Sequence, residues 1–230
     1  MKCNNKFFKI NLTMEVSEAV SSRRSIRSFL KKSVSSKVIY DILLKSSRAA
    51  SGGNLQPWNI YVLNKKSMSD FLVFQEDWTA PEILPYEIYP NKLKEPYRTS
   101  RYALGEQMYS LLGIPREDKD ARFQQMLENF KFFGAPAAIF CFVDKTMGKP
   151  QWSDLGMFLQ TFMLLAREVG LDTCAQEAWS IKNDSVSKFL NAPDETMLFC
   201  GMAIGYCDDD AKINKLVSER RCLEEWATFV

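Results

Sequence analysis

The sequence contains no histidine among its 230 residues. This absence excludes Ser-His-Asp and Cys-His catalytic machinery, HExxH zinc sites and histidine-ligated haem. Neither GxGxxG nor GxxxxGK(S/T) occurs, so neither a Rossmann dinucleotide site nor a P-loop is indicated. Because these mechanisms are excluded, we expect a bound cofactor to supply any difficult chemistry.

Signals for metal, membrane and nucleic acid are also missing. The six cysteines are scattered, without CxxC pairs or zinc-ligand spacing, which is typical of reduced thiols. No apolar run suits a secretory signal or a membrane span, so we expect a cytoplasmic protein without membrane contact. The formal net charge is only +2, so no general attraction to nucleic acid is expected.

What is present is a composition that can form a core, since 46% of the residues are hydrophobic. We expect residues 1–13 to be a disordered tail and residues 14–230 to form a single domain. Within that domain, a stretch rich in proline and aromatic residues predicts a lid or insertion around 76–118.

Hydrophobic periodicity predicts an α+β domain. Helices are expected at 15–22, 36–50, 102–112, 119–133, 153–169 and 184–190, and strands at 59–64, 135–143, 171–176 and 196–206. The 153–169 helix is apolar around most of its circumference. That pattern predicts burial on nearly all sides, in a large core or a dimer interface.

The first polar motif is Arg23-Arg24-Ser25-Ile26-Arg27-Ser28-Phe29. Arg23 and Arg27 share a face in a helix or a strand, whereas Ser25 joins them only in a strand. Two guanidinium groups and a hydroxyl on one face suit a phosphate dianion. The alternative is a solvated basic surface strip, which the motif alone favours.

The second motif is Ser51-Gly52-Gly53-Asn54-Leu55-Gln56-Pro57-Trp58. Small residues and a polar amide between a helix end and a strand let the backbone approach a flat ligand closely. The alternative is an ordinary turn followed by a buried tryptophan, and the motif alone again favours it.

Together the two motifs resemble the FMN-dependent nitroreductase family, which has R-(R/H)-S-x-(R/K)-x-F near its start and S-x-x-N-x-Q-P-W about one helix later. The likeness continues through ENFKFFGAP at 128–136, the segment 153–179 and MLFCGMAIGY at 197–206, and it reaches Arg220 in ERRCLEEW. It covers the chain from Met14 to Val230 and is greatest for nitroaromatic reductases with a long mid-chain insertion.

The resemblance implies a nitroreductase fold, with a central mixed β-sheet flanked by helices, in an intertwined homodimer that binds FMN between its subunits. It also implies a ping-pong reaction. NADH or NADPH gives a hydride to flavin N5, and a nitroaromatic or quinone-like acceptor then takes it. No catalytic side chain and no metal are expected, because the chemistry occurs at the flavin.

Transferred residue by residue, the resemblance places Arg23, Ser25, Arg27 and Arg220 at the FMN phosphate and ribityl chain. Arg24 is expected beside the isoalloxazine edge. The sequence departs from the family around Arg220. Many members have a second basic residue where this chain has Ser218, and a proline where it has Cys222. Fewer charges are then expected on the phosphate.

The remaining cofactor contacts come from the second motif and from later segments. Ser51 and Asn54 are implied to reach the flavin from the partner subunit, and Gln56 of the same motif is included with them. Glu177 and Ala178 occupy positions where the family places backbone N–H groups near N5.

Several alternatives stay open. Asn129 and Lys131 lie in a segment that reaches the flavin only in some members. The run 208–210 is three aspartates, which indicates a solvated turn more than a metal site. Other functions compatible with the fold are reductive dehalogenation, flavin-ring cleavage, and a non-catalytic flavin-binding or sensor role.

Overall fold

The computed structural model describes residues 14–230, and the predicted tail at 1–13 lies outside this range. The helices are α1 Val16–Ser22, α2 Ser36–Ser46, α3 Lys66–Asp77, α4 Tyr97–Leu112, α5 Lys119–Leu127, α6 Lys149–Glu168 and α7 Asn183–Leu190. The strands are β1 Asn59–Asn64, β2 Ala137–Asp144, β3 Asp172–Gln176 and β4 Thr196–Gly205. The predicted α+β class is confirmed.

The four strands form one sheet in the order β1-β2-β4-β3. All three pairings are antiparallel, which corrects the prediction of a mixed sheet. In the described part of the chain, parallel pairing occurs as an isolated bridge between Ser25 and Thr173. The mixed sheet was implied by the family resemblance alone, whereas the direction of each strand is set by its pairing with distant segments of this chain.

The sheet is covered on both faces. Along β2, Ile139 and Cys141 join a core with α2 and α6, whereas Phe140 and Phe142 join a core with α3 and the segment 128–134. Burial on both faces explains why β2 is a continuous apolar run instead of an alternating one. The two central strands, β2 and β4, thus form a rigid platform, with β3 at one edge.

Helix α6 is buried less completely than its composition predicts. Leu155, Phe158 and Phe162 pack into the core, whereas Gly156 is exposed and Met157 keeps 41% of its surface accessible. The prediction of burial on nearly all sides is therefore wrong for the single chain. An apolar side chain on the outer face of such a helix is the kind of surface that a partner subunit covers.

The region predicted as a lid or insertion contains more helix than expected. Helix α3 precedes it and ends at Asp77, residues 78–96 are irregular, and α4 begins at Tyr97 instead of 102. Among residues 14–230, no helix is long and apolar enough to cross a membrane. The cysteines in the same range are all free, and three of them are buried.

Candidate functional site

The segment that carries the first motif is extended. The amide of buried Ile26 donates to the Thr173 carbonyl at 3.0 Å, and Ser25 bridges to Thr173. Strand β3 thereby gains a short parallel neighbour. Because alternate side chains of an extended segment share a face, Arg23, Ser25 and Arg27 point to the same side. The segment is therefore extended, the conformation in which Ser25 shares a face with both arginines.

These side chains line a cavity of about 430 Å³. Its lining residues are Val20, Ser21, Arg23, Arg24, Ser25, Arg27, Leu104, Leu216, Val217, Ser218 and Arg220. Four of them are arginines, and none of the lining residues that the structure describes is acidic. A concave surface with this charge attracts an anion, because guanidinium groups donate bidentately to phosphate oxygens. The motif therefore brings three of its arginines to one cavity, and Arg220 joins them there.

Arg220 reaches this cavity from the C-terminal segment, as predicted, but it is exposed. Its Nη1 atom donates to the Ser218 hydroxyl at 2.7 Å and to the Ser218 carbonyl at 3.0 Å. Ser218 stands where many family members have a basic residue, and here it contacts Arg220. The Arg220 guanidinium thus bonds to Ser218 and to the Glu219 carbonyl.

Asn214 is a residue of this site that the sequence analysis missed. It is 4% exposed and lies between the first motif and the C-terminal segment. Its Oδ1 atom accepts from the Arg27 amide at 2.8 Å, and its backbone oxygen accepts from Arg24 Nη1 at 3.0 Å. A polar residue between buried Ile213 and Leu216 is the one sequence signal that could have indicated it.

Strand β3 leads from the arginine cavity to Glu177 and Ala178. The four steps from Thr173 to Glu177 span about 13 Å of strand, so the two ends suit different parts of one elongated ligand. Glu177 as a whole is exposed, whereas its carboxyl is partly buried. Partial burial raises the pKa of its carboxyl above the usual value, because water is removed from the charged form.

Asn129 and Lys131 differ in their surroundings. Gln176 is buried, and its Nε2 donates to the Asn129 carbonyl at 2.7 Å, which attaches the segment 128–134 beside Glu177. Lys131 is exposed and pairs with Glu128 at 2.7 Å. The structure therefore links Asn129 to the end of β3, whereas Lys131 is part of a surface ion pair.

The second motif is a surface loop that is absent from the lining of the arginine cavity. Gly53, Asn54 and Gln56 all have positive φ values, a conformation that only glycine adopts without strain. The loop is closed by the Gln56 amide, which donates to the Ser51 hydroxyl at 3.0 Å. Asn54 and Gln56 are exposed, so their side chains are accessible to another molecule.

Asp154 attaches this loop to α6. The Gly52 amide donates to its Oδ2 atom at 3.2 Å, and Asp154 is 4% exposed. A buried carboxylate needs such donors to offset its lost hydration. Since α6 begins at Lys149, Asp154 lies within the helix, and its carboxylate contacts the loop instead of capping the helix start.

The irregular segment 78–96 is attached to the body near Glu177. The Glu82 carboxylate accepts from the amides of Asp184 and Ser185 at 2.9 and 3.2 Å, at the start of α7. The Tyr86 hydroxyl donates to the Phe199 carbonyl, and its ring packs on Trp152 and Phe199.

Burial raises the pKa of Tyr86 above its usual value; the nearby Ser180 hydroxyl opposes this shift, while Cys200 and Glu177 add to it. The Tyr86 phenol therefore stays neutral and able to donate. The sequence analysis missed both Tyr86 and Glu82, although the aromatic content of the segment had indicated a lid.

The aspartate run at 208–210 forms a turn, and three of the tryptophans differ in burial. Asp208 accepts from the Ser28 hydroxyl at 3.2 Å and lies in a turn, and no group of metal-ligating residues was found among residues 14–230. Trp179 is fully buried behind the end of β3. Trp226 is exposed, and Trp152 is half-buried against the lid segment.

An α+β domain with an arginine-lined cavity beside an edge strand has the charge and shape that suit an anionic ligand. The sequence model of the Nitroreductase family matches residues 20–206. The chain therefore belongs to this family, as the sequence motifs predicted.

Relatives are similar over almost their whole length. A 4-nitrobenzoate reductase of Pseudomonas putida is 35% identical over 222 residues, 95% of this chain and 97% of the relative. A nitrobenzene nitroreductase of Ectopseudomonas oleovorans is 34% identical over 219 residues, 94% and 96% of the two chains. Among solved structures, the FMN and NADPH-dependent nitroreductase NfnB of Sphigopyxis sp. strain HMH has a TM-score of 0.85 and 37% identity, covering 94% of this chain and 99% of that chain.

Proposed function

We propose that this protein is an FMN-dependent oxidoreductase that transfers a hydride from NADH or NADPH to nitroaromatic or quinone-like acceptors. The single observation that carries the proposal is a cavity at the start of the strand that leads to Glu177. It contains four arginines and Ser25, and no acidic residue of the range 14–230 lines it. The relatives named for nitrobenzene and 4-nitrobenzoate reduction, and the FMN and NADPH-dependent structural relative, support the same assignment.

The residues present fit a flavin mononucleotide. Arg23, Ser25, Arg27 and Arg220 would hold its phosphate, because they offer charged donors and a hydroxyl within one cavity. Arg24 extends the positive charge along the ribityl side. When bound, FMN supplies the two-electron chemistry that no side chain here can perform.

The chain's own groups position the ligand and limit water. The backbone at Glu177 and Ala178 would lie beside the reactive edge of the ring, where an N–H donor favours the reduced form. Tyr86 and Trp152 close one side of this region and exclude solvent. No proton-transfer residue is required at the centre, which agrees with a sequence without histidine.

A homodimer is part of the proposal. The loop with Ser51, Asn54 and Gln56 is exposed and does not line the arginine cavity. The outer face of α6 presents Met157, and apolar side chains on α1 are exposed as well. If these surfaces pair with a second copy, the partner subunit's Asn54 reaches the flavin, and each site needs two chains.

The cellular setting follows from the same chemistry. Free cysteines among the described residues and a reduced nicotinamide as donor support a cytoplasmic location. A small aromatic acceptor is the expected substrate.

The test is a spectroscopic titration of the purified protein. The expected preparation is yellow and releases FMN, not FAD, on denaturation. Under anaerobic conditions, NADH or NADPH should bleach the flavin absorbance, and nitrobenzene or a quinone should restore it. Release of FAD would contradict the phosphate assignment.

Two alternatives give distinct results in the same experiment. A flavin that binds but is not bleached by either nicotinamide would indicate a non-catalytic binding or sensor role. Bleaching without reoxidation by either acceptor class would favour a dehalogenase or flavin-cleaving activity.

A further inference from the structure

Every polar atom of the Asn214 side chain has a hydrogen-bond partner at the junction of two segments. Its Oδ1 atom accepts from the Arg27 amide at 2.8 Å. Its Nδ2 atom donates to the carbonyls of Ser28 and Asp208 at 2.8 and 2.9 Å. Its backbone oxygen accepts from Arg24 at 3.0 Å. An asparagine side chain offers two donors and one acceptor oxygen, so this buried residue is fully satisfied.

These contacts fix the extended segment from both sides. On one side, the Ile26 amide bonds to Thr173 of β3. On the opposite side, the next amide, that of Arg27, bonds to Asn214. Because amides of an extended chain point alternately to opposite sides, Asn214 takes the place of a second neighbouring strand. The segment is held as if it lay inside a sheet.

The same side chain belongs to the segment that forms the opposite wall of the cavity. Leu216, Val217, Ser218 and Arg220 follow Asn214 within six residues, and all of them line the arginine cavity. The two walls are therefore joined by the bonds of Asn214, beside the backbone bond from Asp208 N–H to the Ser28 carbonyl at 3.1 Å. Neither wall has another side chain among the described residues that bonds to Arg27 N–H and Ser28 C=O together.

We propose that Asn214 is a positioning residue that sets the spacing between the Arg23–Arg27 wall and the Ser218–Arg220 wall, and so determines how well the site recognises a terminal phosphate. The proposal rests on the proposed function, since the phosphate is taken to be that of FMN. Asn214 does not line the cavity and acts through the residues that do.

The test compares FMN with riboflavin, which has the same ring and no phosphate. Apo-protein is titrated with each flavin, and the ratio of the two dissociation constants measures phosphate recognition. Asn214→Ala should lower this ratio at least tenfold, because the two walls are no longer held at one spacing, while riboflavin affinity changes by less than about threefold. Asn214→Ser serves as a second variant if the alanine variant does not fold.

Asn64→Ala is the matched control. Asn64 lies at the end of β1, and its Nδ2 atom donates to the Val34 carbonyl at 2.9 Å and to Ser36 at 3.2 Å. Its removal should lower the melting temperature as an Asn214 variant does, but leave the flavin ratio unchanged. This separates a loss of positioning from a general loss of stability.

The outcomes are distinguishable. A wild-type protein without preference for FMN over riboflavin would overturn both this inference and the proposed function. A wild-type protein with a clear preference that the Asn214 variants retain would overturn the inference alone. A ratio that falls equally in Asn64→Ala would also overturn it, because the effect would then follow stability.

Discussion

The two motifs that carry the family resemblance are held in very different ways. The arginine segment is fixed on one side by Thr173 and on the other by buried Asn214. The loop at 51–56 is exposed, contains three residues with positive φ, and is attached to the body of the protein through Asp154. One half of the proposed site is preorganised within a single chain, whereas the other half is presented outward.

This difference indicates that the two motifs serve different purposes in the proposed site. A phosphate needs fixed donors, because each unsatisfied charge-assisted bond reduces affinity. A loop that completes a site on another chain needs an exposed surface and only enough attachment to keep its shape. The strain at Asn54 and Gln56 is of the kind that persists at ligand-binding loops.

The largest effect is expected at the proposed interface between chains. Met157→Glu places a carboxylate on the outer face of α6, where burial by a partner would leave it without a counter-ion. Light scattering should show loss of the dimer, and bound flavin should be lost with it. Val73→Glu is the control, since Val73 is also exposed but belongs to α3. A flavin-loaded monomer would show that one chain suffices.

The next largest effect is expected in the arginine segment, the preorganised half of the proposed site. Arg23→Ala removes one charge-assisted contact, which costs about 1.5–3 kcal/mol, or roughly one to two decades of FMN affinity. Turnover at saturating flavin should change little, because phosphate contacts act alike in the ground and transition states. The measurement is an FMN titration of apo-protein. An unchanged dissociation constant would show that Arg23 does not bind the phosphate and that the motif is only a charged surface.

Arg220→Ala should have a smaller effect, below about one decade of FMN affinity. Arg220 is exposed and must give up its bond to Ser218 before it contacts a ligand. The same titration checks this, with Arg221→Ala as the neighbouring control. An effect of Arg220→Ala larger than that of Arg23→Ala would mean that the C-terminal segment, and not the fixed strand, dominates phosphate binding.

The smallest effect should follow from loosening the exposed loop. Asp154→Asn keeps the shape but weakens the bond to the Gly52 amide, because a neutral acceptor is weaker than a charged one. We expect faster hydrogen exchange at residues 52–56 and a few-fold faster release of FMN. Lys188→Asn on α7, away from both motifs, provides the comparison. Exchange rates equal to those of the wild type would show that Asp154 does not hold the loop in place.

The sequence predicted the elements whose signals are local. Strands β1, β2 and β4 were expected within two residues of their bounds, because runs such as NIYVLN and APAAIFCFV combine β-branched and aromatic residues between breakers. Helix α3 was not predicted, and it buries only Met68 and Phe71. Sheet direction could not be predicted, since it depends on pairings between distant segments.

The residues of the site that belong to sequence motifs could be predicted, and the others could not. Arg23, Arg24, Ser25, Arg27 and Arg220 were expected together, and they line one cavity. Asn214 and Tyr86 were not expected, because their roles come from contacts with residues that are more than 100 positions away. Such contacts leave no local pattern in the chain.

The central claim is that each flavin site combines the fixed arginine segment of one chain with the exposed loop of another. Mixed dimers test it most directly, with Arg23→Ala on one chain and Asn54→Ala on the other, purified through two different tags. If the claim holds, one site per dimer carries both substitutions and the second carries neither. An FMN titration should then show half of the sites with wild-type affinity. A dimer without any wild-type site would contradict the account, because each chain would then form its site alone and every site would carry one of the two substitutions.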